Sequence, residues 1–171
     1  MTTPRAFATL RRRMVKGVGG FLGTYVYEKT DTELYVSNGD WAFDVSHFAT
    51  DDRELLHSEL LASATLRHDQ DVKTRLWEWA QQATVTVEDS GVRLRDGVVF
   101  GPESPADSGP LVVLQEAYVD LAERVADRQW LTYKIEPHLK KVAIYQGERV
   151  LGAIGVYRAD LHALKRVCRF L

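Results

Sequence analysis

The chain has 171 residues, 45% of them hydrophobic and 27% charged, which is the composition of one ordinary globular domain and argues against global disorder. One cysteine, Cys168, excludes an internal disulfide and a thiolate-rich zinc site, and no apolar run approaches the roughly 18 residues that a bilayer-spanning helix needs. The formal charge of −2 conceals a sorting: residues 1–27 carry five Lys/Arg and no Asp/Glu, residues 28–129 carry 9 against 21, and residues 130–171 carry 8 against 3.

Thr3-Pro4 reads as a helix start, with a hydroxyl cap followed by Pro at the first helical position. Phe7, Leu10 and Met14 then form an apolar stripe, with Arg12, Arg13 and Lys16 off it, and Gly17, Gly19 and Gly20 end the helix. A dinucleotide fingerprint needs a strand before its glycines and a helix after them, so this inverted order is read as a helix stop. Arg11-Arg12-Arg13 before the apolar run Gly17–Tyr27 resembles a twin-arginine export signal but lacks a small-residue cleavage site, so the expected location is the cytoplasm, with export the minor alternative.

From Phe21 the period shifts to two. Strands are expected at 21–28, 33–37 and 41–46, the last pair joined by Asn38-Gly39. Asp51 with Glu54 reads as a capping pair opening a helix over 52–67, and a second helix covers 71–83. On that second helix Trp77 and Trp79 cannot share a face, and the sequence does not rank them for burial. A hairpin is expected around Asp89-Ser90-Gly91, followed by a strand at 98–100. The Pro- and Gly-rich stretch 101–110 is the clearest loop, dividing a lobe of residues 1–100 from one of 111–171 within a single domain. A helix over 111–127, strands near 130–135, 141–146 and 149–157 with a Gln146-Gly147-Glu148 turn, and a helix from Asp160 onward complete the prediction. The fold class expected is α+β, with antiparallel sheet elements (an N-terminal meander and a C-terminal hairpin) packed with about five helices.

No motif rises to a reaction. The five histidines show no i+3 or i+4 pairing for a metal, no GxSxG marks a nucleophile elbow, and nothing calls for a cofactor or metal. The leading expectation is a non-enzymatic interaction or adaptor protein, with its basic ends folding into one cationic face. Arg11, Arg12, Arg13, Lys16, Lys165, Arg166 and Arg169 would meet nucleic-acid phosphate or an acidic protein surface there. In the C-terminal third, Lys134, Lys140, Lys141, Arg149 and Arg158 alternate with Trp130, Tyr133, Tyr145 and Tyr157, a composition that suits stacking on unpaired bases. A pI near 6.2 weighs against a dedicated nucleic-acid binder. A membrane partner is the weaker reading of the same basic helices. Two alternatives stand beside the adaptor. One is a small enzyme assembled from dispersed residues such as Asp44, His47, His57, Tyr133 and His138; the other is a homo-oligomeric subunit joining acidic to basic surfaces. The Arg excess over Lys, 15 to 7, points to a GC-rich prokaryote or its phage.

Overall fold

A computed structural model describes residues 4–16, 26–62, 67–68, 71–102, 109–127, 130–136, 138 and 140–157. In chain order the elements are α1 (Pro4–Lys16), β1 (Val26–Lys29), β2 (Leu34–Ser37), β3 (Trp41–Asp44), α2 (Thr50–Leu61), β4 (Arg67–His68) and α3 (Val72–Gln82). There follow β5 (Val85–Leu94), β6 (Gly97–Gly101), β7 (Val112–Gln115), α4 (Glu116–Val125), β8 (Thr132–Ile135), β9 (Lys141–Gln146) and β10 (Arg149–Gly155). The ten strands hydrogen-bond in the order β4-β1-β2-β3-β10-β9-β8-β5-β6-β7, antiparallel throughout except for the short parallel pair β1–β4.

Helices cover both faces of this sheet. On one face α1, α2 and α4 bury Phe7, Leu10, Met14, Leu56, Leu60, Leu121 and Val125 against Val36, Phe43, Ile135, Ile144 and Ile154. On the other face α3 lays Val72, Leu76 and Ala80 over Tyr35, Ala42, Ala143 and Ala153, where three alanines let the helix come close to the backbone. Beyond β10 the amide of Tyr157 donates to the carbonyl of Val113 on β7 at 2.8 Å, so strands β10, β9, β8, β5, β6 and β7 curl until the two ends of the series meet. α4 packs across the concave side of that curl.

The structure bears out the mixed α+β class. Among the described residues it has four helices; the expected C-terminal helix, Thr3 and the glycine run 17–23 lie outside them. The Asn38-Gly39 turn forms as the residues demand: Asn38 Oδ1 accepts from the amides of Asp40 and Trp41 at 3.0 Å each, and Gly39 takes φ +94°.

Four local expectations need correction. The helix expected to reach residue 67 ends at Leu61, and Arg67–His68 instead adds a strand beside β1. Its expected capping pair does not form, since Ala49 is the N-cap and Glu54 reaches Lys29 of β1 at 2.9 Å. Asp89-Ser90-Gly91 is not a hairpin turn but an irregularity inside one continuous strand. Gly91 takes φ +82°, Ser90 Oγ donates to Val99 O at 2.7 Å, and the pairing with β6 resumes at Arg93↔Val98. The helix expected over 111–127 begins only at Glu116, because Val112 to Leu114 pair with β6 in a ladder where β-branched side chains fit better than on a helix.

Candidate functional site

α1 turns its apolar stripe inward and its arginines outward, and the arginines divide into two kinds. Arg11 Nε meets Glu59 of α2 at 3.0 Å, with its guanidinium 5.9 Å from the Phe7 ring centroid. Arg13 forms an ion pair with Asp120 of α4, the carboxylate that also accepts from Arg124 Nε at 2.9 Å. These two cations fasten the helix to the acidic middle of the chain. Arg5 and Arg12 are exposed, and with Arg11, Thr9 and Glu59 they line a groove of about 430 Å³ along α1. Lys16 closes α1, while Lys165, Arg166 and Arg169 lie outside the described residues.

A second cleft, of about 600 Å³, opens between α1 and α4. Arg13, Asp96, Glu116, Asp120 and Tyr157 line it. The N-terminal helix and the chain just before the basic segment 158–171 therefore share one concavity, a juxtaposition that no local sequence signal could announce.

Lys134, Lys141, Tyr145 and Arg149 of the C-terminal strands are engaged with neighbours in the fold. Lys141 Nζ sits 3.3 Å above the Trp79 ring centroid, which leaves Trp79 partly buried under the sheet while Trp77 points to solvent. Burial lowers the pKa of Lys141, with Arg75 and Lys140 adding to the effect and Glu136 opposing it. Lys134 Nζ lies 5.0 Å from the Tyr145 ring centroid, and the Tyr145 hydroxyl donates to Ala80 O at 3.0 Å. Arg149 reaches Asp44 at 3.4 Å and His47 Nδ1 at 3.0 Å. Of the residues weighed as an assembled enzyme site, Asp44 and His47 share Arg149, whereas His57 stacks edge-on to Tyr27 and the His138 amide donates to Glu136. Among the described residues, no group of three or more His, Cys, Asp or Glu is arranged to hold a metal, and no helix is long and apolar enough to cross a membrane.

A third concavity, between β5 and β8, is opposite in charge to the α1 groove and is lined by Trp130, Tyr133 and Glu123. Sequence reasoning grouped its aromatics with neighbouring lysines because chain proximity was the only signal available. Comparison with family models, with curated proteins and with solved structures finds no match for this chain.

Proposed function

We propose that this protein is a macromolecular interaction protein. Its α1 groove receives an acidic stretch of a partner protein. The observation that carries the reading is the groove along α1, where the exposed Arg5 and Arg12 stand beside Thr9 and Arg11. Arg5 and Arg12 contribute guanidinium groups suited to bidentate capture of carboxylates. Arg11 and Arg13, held by Glu59 and Asp120, fix the helix that presents them. An acidic protein fits better than nucleic acid: the pI is near 6.2, and the acidic middle of the chain repels a long polyanion beyond this one face.

The test titrates the full chain with a Glu-rich peptide and, separately, with a single-stranded oligonucleotide over a salt series. The double variant Arg5→Glu with Arg12→Glu should weaken peptide binding about tenfold and flatten its salt dependence. Tighter binding of the oligonucleotide would transfer the surface to nucleic acid. Unchanged affinity of the variant for both polyanions would remove the proposal.

A further inference from the structure

The third concavity opens where two neighbouring strands part. β5 and β8 pair from Val85↔Ile135 to Val87↔Tyr133. Beyond that point Glu88 and Asp89 pair with β6, while Thr132 stays with Tyr145 of β9. α4 passes beside the gap through Val119 and Glu123, leaving a cleft of about 600 Å³. Pockets for small organic ligands span about 300–1,000 Å³.

Its floor is apolar and aromatic. Phe100 and Tyr133 are buried with ring centroids 4.8 Å apart. Tyr133 is 9% exposed, and its hydroxyl has no hydrogen-bond partner among the described residues. A phenol held this way leaves an acceptor and a donor for whatever enters the cleft. At the mouth stands Trp130, 86% exposed, which leaves its indole face open to a ligand. The rim carries Glu88, Asp89 and Glu123, and among the described residues no Lys, Arg or His lines the space. Arg93 neutralises Asp89 from outside through two bonds of 2.8 Å, whereas Glu88 and Glu123 form no ion pair among the described residues. The field of Glu123 and Asp89 reaches the floor: burial raises the pKa of Tyr133, and these two carboxylates raise it further.

We propose that this cleft binds an organic cation. Its ammonium or guanidinium group lies between Glu88 and Glu123, donates to the Tyr133 hydroxyl oxygen, and rests its apolar stem on Phe100 and Trp130. Aromatic faces and carboxylates favour the same charge, so the two contributions reinforce each other. An anion is repelled by the rim. A neutral apolar ligand gains nothing from the two carboxylates, and a hard metal ion gains nothing from the aromatic walls. The site is separate from the α1 groove and opposite to it in sign.

Two cations test it on the full chain: spermidine, and a pentapeptide with one arginine among neutral residues. The neutral stem 1,8-octanediol serves as control. The readout is the NMR shift of the Trp130 indole N–H and of Tyr133. At least one cation should give a saturable shift while octanediol gives none. Response to spermidine identifies a free amine as the ligand class, and response to the peptide alone identifies a side chain of a partner protein; either result upholds the cation site. Glu88→Gln with Glu123→Gln should weaken binding about tenfold, and Trp130→Ala, followed at Tyr133, about fivefold, both with an unchanged melting temperature. The proposal is overturned if neither cation shifts these signals, if octanediol binds equally well, or if the double Gln variant binds as tightly as the parent.

Discussion

Past the end of β3, the imidazole of His47 ties three parts of the chain together. Nε2 donates to Val125 O at 2.8 Å, so Nδ1 is the lone-pair nitrogen and accepts from Arg149 at 3.0 Å. This arrangement requires a neutral ring. Desolvation by its neighbours lowers the pKa, and the Arg149 guanidinium lowers it further, against the opposing pull of the Val125 carbonyl, Asp44 and Asp127. The unfolded chain, with its ordinary value of about 6.5, therefore takes up the proton first as pH falls. The contribution of this group to stability is complete above about pH 6.5 and is lost as pH drops through that value toward the folded pKa. Urea midpoints at about pH 7.5 and about pH 5.5 should show the loss, and His47→Gln should reduce it; a variant with the full pH dependence would assign the effect elsewhere. A different kind of constraint holds at Gly152. A Cβ there would lie 2.4 Å from Phe43 Cδ1 and 2.5 Å from Ala42 O, on the seam where β10 meets β3. Gly152→Ala should cost about 1–3 kcal/mol in a thermal melt, because the Ala42 carbonyl belongs to a paired strand and cannot move aside.

Among the elements, α1 depends most on packing, for it contributes no strand hydrogen bonds and among the described residues is fixed by the buried Phe7, Leu10 and Met14 and by the ion pairs of Arg11 and Arg13. Leu10 is 1% exposed, and Leu10→Ala should lower the unfolding free energy by about 2–5 kcal/mol in chemical denaturation. Such a helix is legible in sequence because Pro4 and the Phe7, Leu10, Met14 spacing give one message. The turns at Asn38-Gly39 and Gln146-Gly147 are legible for a similar reason: their glycines sit at φ +94° and +63°, where other residues are strained. The failures occur where two elements share one apolar run. Leu111 to Leu114 continues smoothly into the stripe of α4, and only the partner strand β6 decides that the first four residues of Val112–Val125 extend. Asp89-Ser90-Gly91 carries turn residues for a bulge, since both features need a glycine at positive φ. The cation cleft was out of reach. Its walls come from β5, β6, α4 and the approach to β8, and the carboxylates around Tyr133 lie many residues from it in the chain. The partners of Arg11 and Arg13 were hidden likewise, as Glu59 and Asp120 become neighbours only after folding.

Across the whole molecule the charge blocks clasp one another. The basic N-terminal helix meets Glu59 and Asp120, and Arg149 from the basic C-terminal third meets Asp44. Exposed pairs of this sort contribute about 0–1 kcal/mol each. Raising NaCl from about 0.05 M to about 1 M should thus move the melting temperature by no more than about 5 °C. The same change should abolish polyanion binding at α1, and a melting temperature that collapsed with salt would mean the clasp, not the apolar core, holds the fold. The order of the sheet has a further consequence in time. β3 is flanked on one side by β10, whose first residue is made about 105 residues later. At about 5–20 residues per second, a ribosome leaves the meander β1–β2–β3 with a bare edge for roughly 5–20 s. During that interval the nascent chain offers unpaired amides and carbonyls to any extended peptide nearby, so a holding chaperone should raise the yield of folded protein most when translation is slow.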